Sequence, residues 1–348
     1  MNKKISVLYI KPDFSNASFK SRFIYNNFFT GQEGYFEEAL FSVFDVTNVD
    51  FYEFQKKQLW NAKKFDVLVV NYKIADKYKI NERDNMLINA AQKVKDIPKV
   101  LFIPSARAED IPDNKVFDVY DLVFKREHFK DLDRYNLSEK NKQKLHTTML
   151  SCLFLPHPRN SFAKLLMPFI KPLSIPYRED KQYDIFFSGV RVRRNNIRAQ
   201  VLQKLLREGF KIYGGLQATP DAPKPPRELL FPRLSKKEYA KAMRNAKINL
   251  ALDGIGEFTF RHLEIWYLGE FMISSPSIKD LALPLPVKED VHYVSYNSLE
   301  ELVEKVRFYL HNEDSRRKIA LAGKRMFDKY YNPYQHGIEI RQIIEKLL

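Results

Sequence analysis

Four consecutive apolar residues, Val67, Leu68, Val69 and Val70, stand between Asp66 and Asn71 with no polar position among them. A strand with one wet face alternates apolar and polar side chains. A run of this kind suits a strand buried on both faces, as in the middle of a parallel sheet. It belongs to one of five short segments rich in Val, Ile, Leu, Phe or Tyr, at residues 5–11, 47–52, 65–72, 99–104 and 120–125. Helix-patterned stretches at 19–29, 35–44 and 81–94 lie between several of them. Parallel neighbours need a crossover connection, so this alternation marks a doubly wound α/β domain. No Gly-x-Gly-x-x-Gly follows the first strand, and a dinucleotide fingerprint is absent there.

Prolines 156, 158, 168, 172 and 176 then interrupt the pattern, a density that cannot continue a helix and reads as an interdomain connection. Beyond them the alternation restarts. Strands are expected at 183–189, 210–215, 248–252 and 271–274, and helices at 195–208, 236–245, 258–269, 299–310 and 315–331. A proline-rich irregular loop occupies 220–226, and a last helix covers about 334–348. A chain of 348 residues is too long for one ordinary core. The expected fold is α/β, with two Rossmann-like domains facing across a cleft at residues 1–160 and 177–332. The C-terminal helix, 333–348, is expected to pack back near the region between them.

Cys152 is the single cysteine, which excludes an intrachain disulfide and suits a reducing compartment. Met1-Asn2-Lys3-Lys4 leads straight into a strand, with no signal-peptide pattern and no run long enough to span a bilayer. A soluble, cytoplasmic protein is expected. The formal net charge of +15 implies attraction to something anionic, whether nucleic acid, an acidic lipid surface or a phosphorylated ligand.

Two segments carry the candidate chemistry. In the helix at 258–269, Arg261 and Glu264 are three apart and so share a face. They follow a loop, Asp253 to Glu257, that holds Gly254 and Gly256. Such a helix could carry an ordinary surface ion pair. It could equally hold a nucleotide, with Arg261 and the helix N-terminus on phosphate and a carboxylate on ribose hydroxyls. The second segment runs from Ser188 and Gly189 through Arg191, Arg193, Arg194 and Arg198. Cations at a helix start oppose the helix dipole, and that local conflict points to a site where guanidinium groups clamp a diphosphate. Arg191 and Arg198 lead, with Arg193 and Arg194 as competitors. Its place downstream of this arginine-rich turn favours the nucleotide reading of the 258–269 helix. Catalytic candidates at the sheet edge are Asp13, then Arg107, Glu109 and Asp110. His157, between two prolines near the proposed cleft, could bind phosphate, transfer a proton or serve the hinge structurally. No His/Cys/Asp cluster has metal-ligand spacing, so no metal is expected.

The segment from about Tyr183 to Asn332 resembles the donor domain of GT-B glycosyltransferases, nearest to the group-1 and CgeB-like branch. The likeness rests on residues 183–189, the arginine-bearing helix start, residues 210–215, Ala246 to Leu250, Arg261-His262-Leu263-Glu264 with Gly269, and the closing 299–302 and 320–324. The same region is similar to phage DNA glucosyltransferases through Thr259-Phe260-Arg261-His262-Leu263-Glu264. The resemblance implies a metal-independent, hexosyltransferase-like enzyme without cofactor, using a nucleotide sugar, UDP-sugar first, as substrate. Its donor would be held by Gly189, Arg191, Arg198, Gly214, Glu257, Arg261, His262 and Glu264. Glu257 and Glu264 are seven apart, with Glu270 six further on, so the Glu-x7-Glu signature of many retaining members is not met cleanly.

Three functions follow as expectations. One is transfer to a cell-envelope glycan or glycolipid at the inner membrane face. A basic, partly aromatic surface at 14–29, with Lys20 and Arg22, would meet such an acceptor. Another is modification of DNA bases, which the charge also suits. The third is a non-catalytic module that binds a nucleotide sugar or glycan.

Overall fold

The computed structural model describes residues 5–13, 18–56, 64–75, 79–169, 173, 175–191, 196–219 and 224–348. Six parallel strands build the first sheet: β1 (Ser6–Lys11), β2 (Asp45–Asp50), β3 (Val67–Asn71), β4 (Lys99–Ile103), β5 (Leu122–Lys125) and β6 (Leu145–Thr147). Their order is β2-β1-β3-β4-β5-β6. The unbroken apolar run is β3, with Val67 opposite Val7 and Val70 opposite Ile10, and every residue of it buried. Helices α1 (Phe19–Asn27), α2 (Gly34–Val43) and α3 (Ile80–Lys93) connect the early strands. On one face of the sheet Phe36, Ala39 and Leu40 of α2 pack on Val7, Val69 and Phe102, with the Phe36 and Phe102 rings stacked at 4.0 Å. On the other face Leu87, Ala90 and Ala91 of α3 meet Leu8, Leu68 and Val70. Burial on both faces is what the lack of alternation in β3 required.

The connection carries a short helix, α4 (Ser161–Leu166), and leads into the second sheet. Here β7 (Tyr183–Val190), β8 (Ile212–Gln217), β9 (Ala246–Ala251), β10 (Met272–Ser274) and β11 (Val294–Ser295) run parallel in the order β8-β7-β9-β10-β11. Around it lie α5 (Ile197–Arg207), α6 (Lys236–Asn245), α7 (Phe260–Leu268), α8 (Leu299–His311) and α9 (Glu313–Tyr330). Local chemistry sets several of these boundaries. Ser235 caps α6, its hydroxyl taking the Glu238 N–H at 3.3 Å while the Glu238 carboxylate takes the Ser235 N–H at 2.8 Å. Gly269 closes α7 in the left-handed region at φ 70°. The edge strands β6 and β11 were not expected, since two or three residues are too few to show a period.

The two sheets share a seam. Phe129 and His128 pair antiparallel with Leu281 and Ala282, and the Thr147 hydroxyl donates to the Ala282 carbonyl at 3.0 Å. The Phe154 ring lies edge-on to Tyr239 and Tyr267 at 6.3 and 6.1 Å, so apolar packing continues across the seam. The last helix, α10 (Pro333–Ile344), returns from the second sheet to the first. Its Ile340 and Ile344 join Phe36 and Leu40 of α2 in one core, and His336 Nε2 lies 3.0 Å from the Thr148 hydroxyl. Among the described residues no helix is long and apolar enough to cross a membrane.

The Ile340 side chain is wholly buried under α2. Ile340→Ala should therefore cost about 2–4 kcal/mol, seen as a lower melting temperature. An unchanged melting temperature would mean that α10 is not seated there.

Candidate active site

The carboxyl ends of β7 and β9 open into a cleft of about 1380 Å³, walled on one side by the second domain and on the other by Gln32, Ala106, Arg126 and Leu153 of the first. Open parallel sheets bind ligands at this edge, because helix N-termini and loop backbones converge there.

Two arginines occupy the floor. Arg198 sits in the first turn of α5, where Nε donates to the Asp253 carbonyl at 2.7 Å, Nη1 to the Val190 carbonyl at 2.7 Å and Nη2 to the Leu252 carbonyl at 3.2 Å. Arg261 starts α7, donating through Nη2 to the Ser188 carbonyl and through Nε to the Tyr239 hydroxyl at 3.0 Å. Both guanidinium groups lie against the Phe187 ring, Arg261 at 4.5 Å and Arg198 at 5.5 Å from its centroid. Gly189 leaves them room: a Cβ there would stand 3.2 Å from Arg198 Nη1 and 3.3 Å from Arg261 Nη2. Both side chains are 92% shielded from water, and among the described residues neither forms a salt bridge. Burial, reinforced by the neighbouring Arg261 charge, pulls Arg198 down to about 9. Two like charges held together out of water set up a demand for an anion between them.

Glu264 lies one turn after Arg261 on α7, also lining the cleft. Burial pushes its carboxyl up to about 7, while Arg261, a hydrogen bond from Tyr239 and the Lys236 charge act in the opposite direction. Arg191 also lines the cleft, with Nη1 donating to the Lys224 carbonyl at 2.7 Å. Arg193 and Arg194 lie outside the described residues.

Three residues expected to hold the donor are placed elsewhere. His262 is fully buried. Its Nδ1 takes the Thr259 N–H at 3.1 Å and its Nε2 lies 2.9 Å from the Ser274 hydroxyl, so it caps α7 from inside the fold. Burial pulls it down to about 3, which keeps it neutral. Gly214 sits inside β8 at φ 121°, and a Cβ would overlap the Phe187 carbonyl of β7. Its absent side chain serves strand pairing. Glu257 faces the other domain, where its Oε2 takes the Ala108 N–H at 3.1 Å. Gly256 beside it approaches the Ala106 carbonyl so closely that a Cβ would overlap it. The two-glycine loop thus joins the domains at the cleft's edge.

The catalytic candidates Asp13, Glu109 and His157 do not line the cleft. Asp13 follows β1 half-buried, Glu109 is exposed, and His157 places Nδ1 2.7 Å from Glu38 Oε1. Arg107 and Asp110 likewise stand outside the lining, Asp110 accepting from the Ser105 hydroxyl. Among the described residues no three His, Cys, Asp or Glu side chains are grouped to hold a metal ion.

Sequence reasoning missed Arg126, Tyr239 and Phe187. Arg126 reaches from the first domain, pairing with Glu127 and donating to the carbonyls of Ala106 at 3.2 Å and Phe258 at 2.8 Å. A tyrosine in an amphipathic helix and a phenylalanine in a strand carry no signal beyond burial.

The fold has counterparts. Residues 193–342 match the family model described as Glycosyl transferase-like. No curated protein sequence matches the chain. A glycosyltransferase from Rickettsia africae ESF-5 is similar at a TM-score of 0.57 and 12% identity, over 99% of this chain and 98% of that one. Anabaena HepE, solved with UDP and glucose, gives 0.54 at 9%, over 99% and 100%. An alpha-glucosyltransferase, solved with UDP and a 13-mer DNA, gives 0.56 at 10%, over 99% and 100%. The chain has the GT-B glycosyltransferase fold. The family match takes in Arg198, Arg261 and Glu264, while Gly189 and Arg191 precede it and Gln32, Ala106, Arg126 and Leu153 line the cleft from the first domain.

Glu264 makes the cleft's electrostatics testable. A carboxyl raised from 4.5 to about 7 stabilises the fold fully below its unfolded value, and that contribution is lost as pH rises through 7. Glu264→Gln stays neutral throughout. Its melting temperature, relative to the parent's, should climb between about pH 4.5 and 8. A difference that stays flat over this window would show that the carboxyl is not held in a desolvated site.

Proposed function

We propose that the protein transfers a hexosyl group from a UDP-sugar to a cell-envelope glycan or glycolipid. The observation that carries the donor half is the pair Arg198 and Arg261, buried side by side at the carboxyl edge of a parallel sheet without a salt bridge among the described residues. A diphosphate placed across them supplies the missing negative charge. Its departure with the nucleotide is the step at which charge develops, and fixed guanidinium groups and the α5 and α7 N-termini stabilise that charge without reorganisation. Glu264 lies deeper, where a carboxylate accepts ribose hydroxyls and Tyr239 holds it in place. Once those hydroxyls bind, the carboxylate form is favoured and the group ionises at neutral pH. UDP is preferred because HepE and the alpha-glucosyltransferase, both of this fold, were solved with it. Stabilisation by basic side chains makes a metal unnecessary for the leaving group.

The test is a panel of UDP-, GDP-, TDP- and CMP-sugars, read by thermal stabilisation and by release of the nucleotide. UDP-sugars should stabilise the protein and be slowly hydrolysed. Arg261→Met and Arg198→Met should each weaken UDP binding about 10- to 100-fold, the usual worth of a lost charge-assisted bond. No response to any donor, or unchanged affinity in both variants, would overturn the reading.

A further inference from the structure

Outside the cleft, exposed apolar side chains concentrate on α1, α4 and the residues just after α4. Phe19 is 77% exposed, Leu165 73% and Phe169 86%, and Phe23, Ile24 and Phe162 are exposed with them. On α1 and α4 the rings touch: Phe19 and Phe23 stack at 6.5 Å, and Phe23 meets Phe162 edge-on at 6.4 Å. A patch of this kind on a folded surface marks a binding face.

The face is built rather than loose. Phe28 and Phe29, directly after α1, pair antiparallel with Pro158 and His157, shortly before α4. The Asn160 amide, which caps α4, donates to the Asn26 carbonyl and to Asn27 Oδ1, both at 3.1 Å. Tyr25, the buried residue of α1, donates to Glu37 at 3.1 Å. Arg159 pairs with the same carboxylate and lies over the Tyr25 and Phe29 rings. Two short helices are therefore locked to α2 by one buried carboxylate.

Charge decides what covers the face. No Asp or Glu occurs between residues 14 and 32 or between 151 and 178, while Lys20, Arg22 and Lys164 stand exposed on the same two helices. Bulky apolar side chains with a cationic rim, in two segments without an acidic residue, match the interface of an anionic bilayer, where rings enter the headgroup boundary and cations meet phosphate. A duplex-binding face would instead be dominated by cations spaced along the phosphates. Both arms of the Phe28–His157 ladder also lead to the cleft, one to Gln32 and the other to Leu153.

We propose that α1 and α4 dock the protein on an anionic lipid surface and present the cleft to an acceptor embedded there. The docking stands on the patch itself; the presentation of an acceptor rests on the glycosyl-transfer reading. Full-length protein is sedimented with vesicles of pure phosphatidylglycerol or pure phosphatidylcholine, and titrated in parallel with duplex DNA. Strong, salt-sensitive binding is expected to phosphatidylglycerol alone. The triple variant Phe19→Ser, Phe23→Ser, Leu165→Ser and the pair Lys20→Glu, Arg22→Glu should each bind those vesicles at least about tenfold more weakly, since each cation near such a surface is worth about fivefold. Stabilisation by UDP should be unchanged in both, showing that fold and donor site are intact. Parental protein that ignores the vesicles, variants that bind them as the parent does, or a patch whose loss impairs DNA binding or self-association instead would each overturn the docking. Failure of every donor with vesicle binding intact would overturn only the transferase reading.

Discussion

Two guanidinium groups stand side by side beneath Gly189, hydrogen-bonded only to backbone carbonyls and one tyrosine hydroxyl among the described residues. Much of the cleft's construction serves to hold them there. Gly189 has no side chain to push them apart, the Phe187 ring supports them from below, and the ends of β7 and β9 supply the carbonyls. Carbonyl partners orient an arginine without neutralising it, so the positive charge stays available to a ligand. A carboxylate in the same place would have satisfied the pair and removed the driving force for binding an anion.

The second domain alone would leave this floor open to water. The seam closes one side. Gly256 lets the 253–257 loop press against the Ala106 carbonyl, Glu257 ties it to the Ala108 N–H, and Arg126 bridges Ala106 and Phe258. These contacts place first-domain backbone at the lip of the cleft. Excluding water there strengthens each charge interaction inside. The same architecture separates two regions: the arginine floor belongs to α5 and α7, while the surface formed by α1 and α4 is held by Glu37, far from those helices in sequence.

Glu37 shows how much a single buried carboxylate can organise. It takes hydrogen bonds from Tyr9 at 2.9 Å and Tyr25 at 3.1 Å and pairs with Arg159, linking β1, α1 and the segment before α4. Asn71 at the end of β3 donates to the Tyr9 hydroxyl at 2.9 Å and completes the network. Removing one member strands the others in a dry interior, so the exposed rings outside depend on polar groups inside.

Sequence by itself determined the alternation of strands and helices and the two-domain α/β architecture, and it picked out Gly189, Arg191, Arg198, Arg261 and Glu264, which the fold brings to one cleft. These are legible because apolar period and charged residues at helix starts are local properties of the chain. What tertiary structure decided is which side chains share a space. His262 has the same neighbours in sequence as Arg261 and Glu264, yet the helix turns it inward to cap its own N-terminus. Gly214 reads like a ligand-approach glycine and serves strand pairing, and Glu257 turns to the other domain. Arg126 and Tyr239 lie 135 and 22 residues from Arg261 in the chain and meet the site only through folding. Direction and proximity depend on helix phase and on the docking of one domain against another, and neither is written in the identity of a residue or its immediate neighbours.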